Sequence, residues 1–278
     1  MAGEAVLQVS PKLMAGARRA GREWGKSDPI DALAVARATL RESDLPVARL
    51  EGENRDVKLL LDHRDDLVGE RTRVQNRLQW HLHELEPSFD VPDRSLDRKV
   101  VMNQVAKVLA VHCGVAADIA VELLELVRHL TARINELERQ IAALVTRLAP
   151  TLLELDGCAA LGAAKLIGET AGITRFKTPA RFAMHNGSAP IPVWSGSHER
   201  HRLNRGGNRQ LNAALHRIAI TQIRLRGRGF DYIQHRRAAG DSKREAIRAL
   251  RRRISDEVFR RMWQDHLLAA KTGRELAA

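Results

Sequence analysis

Cys113 and Cys158 are the only cysteines in 278 residues, too few and too far apart for a disulfide framework or a thiolate metal site. They fit a reducing, cytoplasmic setting. Long apolar runs are missing too. No uncharged stretch approaches the roughly 18–20 residues of a membrane span. The N-terminal stretch MAGEAVLQVSPKLMAGARRAGR has no apolar core long enough for a signal peptide. A soluble chain with no membrane partner is expected. Acidic residues are in deficit: 34 Asp and Glu stand against 46 Lys and Arg, a formal charge of +12 and a pI of about 10.5. That balance points to a polyanionic partner, of which nucleic acid is the commonest, and carries no information on fold. Hydrophobic residues are not lacking, and at 44% they exclude wholesale disorder.

The positive charge is not evenly spread. Residues 173–263 hold 21 Lys and Arg against 6 Asp and Glu, an excess of 15. A nucleic-acid footprint is therefore expected in the C-terminal third. Arg251, Arg252 and Arg253 form a candidate phosphate-contacting stripe there, the bland alternative being a solvated helix face.

Hydrophobic periodicity divides the chain into three parts, 1–50, 51–150 and 151–278. In the first, AVLQV (5–9) reads as a short strand, 11–27 as an irregular lead-in, and PIDALAVARATL as a helix. In the second, Leu60, Leu67 and Val74 recur every seven residues, Leu78 and Leu85 continue the face, and Pro87 stops the helix. A helical piece near 99–111 follows. Leu130, Ile134, Leu137, Ile141, Leu144 and Leu148 then alternate steps of four and three, a coiled-coil seam that ends at Pro150. These helices are expected to pack on each other or on a second copy, as a homodimer or homotetramer. The third part opens with LLELDGCAALGAAKLIGETAGI, a short helix, a glycine turn and a second helix. It is similar to a helix-hairpin-helix, whose turn N–H groups can hold a backbone phosphate. The usual second glycine of the turn is absent after Gly157, so a purely structural hairpin is an equal reading. A loop-rich stretch with Ser195 and Gly196 comes next, and helices resume at Gln210, with a break near RGRGFD, to about Leu268. The fold class expected is mainly α.

The stretch WGKSDPIDAL places Asp28 and Asp31 three residues apart. Asp28 reads as a helix N-cap, Pro29 as the first helical residue and Asp31 as a first-turn acid favoured by the helix dipole. The same spacing puts both carboxylates on one helix face, where they could ligate a hard divalent cation. Both readings can hold together.

The order GKSDPIDALAVAR, a long helical insert, then LDGCAALGAAKLIGE and SGSHERHRLNRGGNRQLNAAL resembles the DEDD insertion-sequence transposases, from about Val6 to about Trp263. The resemblance implies a RuvC/RNase H-like N-terminal domain and a serine-bearing C-terminal domain that cut and rejoin DNA. It implies Ser195 as nucleophile, Asp28 and Asp31 as the third and fourth of four acidic positions, and Mg²⁺ or Mn²⁺ as the metal they bind. Arg200, Arg202, Arg205, Gly207, Asn208 and Arg209 fall in the basic segment after the serine. With Arg251 and Arg252 these basic residues and Asn208 are the expected DNA contacts. DNA is the implied partner, and some members also use an element-encoded guide RNA. A serine hydroxyl is weak at its free pKa and needs a base or a metal to activate it.

The sequence offers no match for the first two acidic positions. AVLQV resembles the last strand of the RNase H-like sheet, and the earlier strands have no counterpart. The expectation is therefore a truncated or remnant transposase whose residues 1–50 are the end of the RNase H-like domain. A non-enzymatic DNA-binding regulator and a junction-binding recombination factor are the alternatives. Covalent linkage of Ser195 to DNA separates the enzyme from the binder.

Overall fold

The computed structural model describes residues 6–20, 27–43, 45, 47, 51–196, 198–204, 206–271 and 273. The chain divides into two units, Val57–Arg147 and the sequence on either side of it. Among the described residues it is mainly helical, and the one sheet has two strands.

The Val57–Arg147 unit is built from α3 (Glu53–Leu85), whose first turn lies before the boundary, α4 (Lys99–Leu109) and α5 (Val115–Leu148). The two long helices end where the sequence allows no continuation. α3 stops two residues before Pro87 and α5 two residues before Pro150. Val74, Leu78 and Leu82 of α3 meet Val101, Met102, Val105 and Leu109 of α4 and Leu123, Leu124, Val127 and Leu130 of α5 in one core. Arg64 near the start of α3 donates to Glu138 near the end of α5 at 2.9 Å, so the two long helices run antiparallel. The seam of α5 is corrected at one position. Leu130, Ile134, Leu137, Ile141 and Leu148 are buried, but Val145 replaces Leu144 on the inner face. Eleven residues from Ile134 to Val145 make three turns of 3.67 residues, closer to an unstrained helix than a strict heptad. In α3, similarly, Leu60, Leu67 and Leu85 are half-buried while Val57, Leu61 and Leu82 are buried.

In the flanking unit, Pro11–Arg19 forms α1, where an irregular lead-in was expected. Ser10 supplies the cap, accepting from the Leu13 N–H, and Pro11 sits at the first position. The expected strand 5–9 is reduced to a single antiparallel bridge, Leu7 to Val47; residue 5 lies outside the described residues. The start of α1 at Pro11 cuts the extended segment short. α2 (Asp28–Arg41) packs on α1 through Ala17, Ala34 and Ala38, whose small side chains let the backbones approach.

The C-terminal part runs α6 (Pro150–Leu153), α7 (Ala160–Thr170), a 3-10 turn at Ile173–Arg175, α8 (Pro179–His185), β1 (Ile191–Ser195), β2 (His198–Arg202), α9 (Arg209–Arg224), α10 (Arg228–Ala238) and α11 (Lys243–Lys271). α11 is its central post. Ala246, Leu250, Ile254, Val258, Met262 and Ala269 form its buried stripe. Phe182 of α8 is fully buried against Phe176 and Phe259, at ring separations of 5.3 and 6.0 Å. Asp265 of α11 reaches across to α6 and accepts from the Thr151 and Leu152 N–H groups at 2.9 and 3.2 Å. A side chain 113 residues away thereby satisfies the free donors of a one-turn helix. A second break, at 239–242, separates α10 from α11. It carries Gly240 at φ +99° and a reciprocal cap in which Ser242 and Glu245 bond each other's backbone N–H.

The hairpin turn between α6 and α7 is packed inward. Gly157 has φ +82°, and a Cβ there would lie 3.0 Å from the Ile218 carbonyl oxygen and 3.1 Å from Thr221 Cβ. The Asp156 carbonyl accepts from Gln222 at 2.8 Å, and the Cys158 N–H bonds Leu155. The turn thus docks on α9.

Candidate functional site

Two of the expected acids begin α2. Ser27, with extended backbone, is the N-cap residue and makes no side-chain cap bond. Asp28 is therefore a first-turn residue, not the cap, and its side chain is exposed. Asp31 is half-buried, and its Oδ1 accepts from Arg18 of α1 at 2.8 Å. The two carboxylates do share the first turn, but a guanidinium already holds one of them. Among the described residues no group of three or more His, Cys, Asp or Glu comes close enough to hold a metal. Two carboxylates, one of them engaged by Arg18, do not amount to the six or more oxygen ligands a hard divalent cation takes.

Ser195 is the last residue of β1, paired with His198 across the hairpin turn, and Gly196 follows at φ +60°. The strand alternates, so Pro192 and Trp194 project to one side. Trp194 is 67% exposed. β2 carries Arg200 opposite Val193 and Arg202 opposite Ile191. Arg202 is exposed; Arg205 lies outside the described residues.

Beyond β2, residues 203–204 and 206–208 lie against the end of α8. Gly207 approaches Gly187 so closely that a Cβ would fall 2.3 Å from its nitrogen and 2.4 Å from its Cα. Asn204 donates to the Met184 carbonyl at 3.0 Å and accepts from the Gly206 N–H at 2.9 Å. Asn208, expected to contact DNA, is engaged within the protein. Its Oδ1 caps α9 by accepting from Gln210 and Leu211 at 2.9 and 3.0 Å, and its Nδ2 donates to Glu169 at 2.7 Å. Both ends of the amide are engaged inside the protein.

A polar relay that sequence reading missed lies beneath this turn. Asn186, fully buried, donates to Ser255 at 2.7 Å and accepts from the Ser188 N–H at 3.0 Å. Its carbonyl accepts from Asn212 at 3.0 Å, and Asn212 in turn accepts from Arg251 Nη1 at 2.7 Å. Neighbouring His185 is held neutral: burial, then the Arg175 charge, pushes its pKa down to about 4. The one signal for the relay was Asn212 four residues after Asn208, one helical turn along the same face.

Arg251, Arg252 and Arg253 do not form a stripe. Consecutive helix residues are separated by about 100°, and the three point to different partners. Arg251 binds Asn212, Arg252 pairs with Asp256, and Arg253 lies over the Tyr232 ring at 4.7 Å. Only Arg251 of the three faces a basic hollow of about 620 Å³, lined by Asn204, Gly207, Arg209, Asn212, His216, Arg248 and neighbouring residues, with no acid in its wall.

The transposase family described as IS116/IS110/IS902 matches residues 149–234, and the IS110-type DEDD transposase family matches residues 1–87. The chain belongs to the IS110-type DEDD transposases. Relatives agree. A 44.8 kDa protein of insertion element IS116 from Streptomyces clavuligerus is 24% identical over 92% of this chain and 76% of its own length. A 43.6 kDa protein of insertion element IS110 from Streptomyces coelicolor is 36% identical over 43% of this chain and 30% of its own length. Transposases act on DNA, and the family is in general divalent-metal dependent. In this transposase the serine hairpin and the basic hollow fall in or next to the matched segment 149–234, and the Asp28–Asp31 pair in 1–87. Among its described residues no helix is long and apolar enough to cross a membrane.

Proposed function

We propose that this transposase grips DNA through the basic face of its C-terminal part and breaks and rejoins strands at Ser195. The observation that supports it best is the join between hairpin and hollow: the strand paired to that of Ser195 runs straight into the wall of an acid-free basic hollow. In the step proposed, the serine oxygen forms a bond to a backbone phosphorus while the bond to one deoxyribose oxygen breaks. A base takes the serine proton, and the departing oxygen gains one. Arg200, Arg202, Arg205 and Arg209 are the proposed phosphate contacts around it, and exposed Trp194 is a platform on which an unpaired base can stack.

The proposed metal is Mg²⁺ or Mn²⁺, but Asp28 and Asp31 cannot form its site unaided while Arg18 holds Asp31. That ion pair favours a second reading, a DNA-binding regulator without strand cleavage. The experiment that decides is denaturing electrophoresis of labelled element-end DNA incubated with the chain and Mg²⁺. Expected is a covalent protein–DNA species that Ser195→Ala abolishes while leaving binding intact. Identical behaviour of the two proteins would leave the regulator reading.

Three further elements belong to the proposal. The chain self-associates as a dimer or tetramer through its helical unit, where Val111 and Val115 are largely exposed; a monomeric mass by light scattering at micromolar concentration would contradict this. An element-encoded guide RNA is a second polyanion suited to the same basic face, and loss of activity on ribonuclease treatment would support it. The setting is cytoplasmic, in keeping with two free thiols.

A further inference from the structure

The geometry points to the hollow lined by α9, α11 and residues Leu203, Asn204 and Gly207 as a seat for one backbone phosphate, held by Arg251 and Arg248 with His216 at its edge. The inference rests on the DNA-acting reading and adds to it a separate anchoring site away from the reacting serine.

Four observations converge. First, Arg251 is half-buried and, among the described residues, pairs with no carboxylate. Its Nη1 is fixed by Asn212 at 2.7 Å, while its Nε is buried without any partner. Buried donors in folded proteins are nearly always satisfied, and a desolvated cation is costly without a counter-charge. Burial and the neighbouring Arg248 both push its pKa down, the mark of positive charge crowded without compensation. Second, Arg251 does not choose this place by chance. The Ser255–Asn186–Asn212 relay locks it from behind, and a planar guanidinium fixed on one edge presents the other to a tetrahedral anion.

Third, the ionisable side chains that line the hollow are all basic. Arg248 lies three residues before Arg251 on α11, and Arg209 and His216 face them from α9. Glu245, one turn before Arg248, feels the Arg248 charge, but it is exposed, already bonded to Ser242 and not part of the hollow's lining. His216 has its pKa lowered by burial and by Arg251, so an anion entering the hollow would restore it. Fourth, the wall opposite is backbone: Gly207 and the Asn204 turn bring peptide groups close without a side chain between. The N–H groups at the start of α9 are not part of the seat, because Asn208 already caps them.

The seat is not the reacting position. Ser195 pairs with His198 at the hairpin tip, whereas the hollow starts at Leu203, past the hairpin base. At about 3.3 Å per strand residue the two are separated by roughly 13 Å or more along the hairpin. A phosphate in the hollow is therefore one several nucleotides from the reacting one, and its contact fixes the register of the strand.

The test has two arms on the full chain. In the first, binding of a labelled oligonucleotide duplex is measured from 50 to 300 mM salt. Loss of one phosphate contact should make the slope of log K against log salt shallower by about one. That change is expected for Arg248→Gln and Arg251→Gln, and not for Arg260→Gln, a charge-matched change on α11 whose guanidinium is held by Glu257. Among the described residues Arg248 makes no hydrogen bond, only a screened attraction to exposed Glu245, so its loss should leave folding intact even if Arg251→Gln does not. In the second arm, inorganic phosphate is added and the His216 ring protons are followed by NMR. The titration midpoint of His216 should move to higher pH, and this shift should vanish in Arg248→Gln. Unchanged slopes in both Arg variants alongside steep wild-type binding would overturn the seat and leave the DNA reading standing. A wild type that binds DNA without salt dependence would overturn the DNA reading, and an unmoved His216 would then overturn the seat as well.

Discussion

The two adjacent glycines of the RGGN stretch should respond very differently to alanine. At Gly207 a new Cβ would lie 2.3 Å from the Gly187 nitrogen, 2.4 Å from its Cα and 2.9 Å from the Asn186 carbonyl carbon. Ordinary carbon contacts sit at about 3.5–4.0 Å, so the overlap exceeds roughly 1 Å. Every atom it meets is backbone, and Asn186 is pinned by Ser255, Ser188 and Asn212. The strain cannot pass to a flexible side-chain end. At Gly206 the nearest atom to a new Cβ is Asn204 Oδ1 at 3.6 Å, an ordinary contact. Overpacking costs about 1–3 kcal/mol and occasionally more, and a rigid backbone clash belongs at the top, so Gly207→Ala should cost about 3 kcal/mol. For a chain of this size that is a fall of roughly 6–12 °C in melting temperature. Gly206→Ala should shift it by less than about 2 °C, as surface changes do. Differential scanning fluorimetry on the two variants measures both. Equal shifts would refute the close approach of the turn to α8, and with it the back wall of the basic hollow.

Burial pushes the Cys158 thiol up to about 12, while Cys113 is exposed; iodoacetamide at pH 8 should therefore label one thiol in the native chain and two in urea, as read by intact mass. Val145→Ala should destabilise by about 1–2 kcal/mol more than Leu144→Ala, because only Val145 is fully buried, and urea unfolding of the two variants compares them. Asp265 has its pKa raised by burial above the usual 3.8, against the pull of the Thr151 and Leu152 N–H groups. The native chain thus holds that proton more tightly than the unfolded one, so this group's contribution is fully present below pH 3.8 and falls as pH rises through the raised value. The stability difference between wild type and Asp265→Asn should accordingly narrow or reverse across that window, and urea midpoints taken from pH 3.5 to 7 check the sign.

The long helices were legible because their signals are local and repeated: apolar residues at heptad-like spacing and a proline just after each C-terminus. Boundaries between neighbouring core positions were not, because Leu144 and Val145 are equally apolar and only the phase of the helix in its packed setting selects one. The lead-in that proves to be α1 carried a readable Ser-Pro start, outweighed by its small and basic composition. The break between α10 and α11 likewise carried a Gly followed by Ser-x-x-Glu. The strand at 5–9 failed for the opposite reason. Alternation of apolar residues supplies only half of a strand, and the other half is a paired neighbour, which for Leu7 is Val47 alone among the described residues.

At the candidate site the motif that announces the family and the groups suited to bind its substrate are largely different residues. Gly207 is fixed because an added Cβ would fall 2.3 Å from the Gly187 nitrogen, and Asn208 by a helix cap and a bond to Glu169, so the fold itself requires them. Arg248, Arg251, His216 and Asn212 form the hollow, yet in sequence they are scattered over two helices among many other basic residues. Charge alone could not separate Arg251 from Arg252. The structure separates them by partner: an aspartate neutralises Arg252, and an asparagine orients Arg251 without removing its charge. A guanidinium positioned by a neutral partner keeps its full attraction for an incoming phosphate. That difference, invisible in a run of three arginines, is what separates the proposed seat from a solvated helix face.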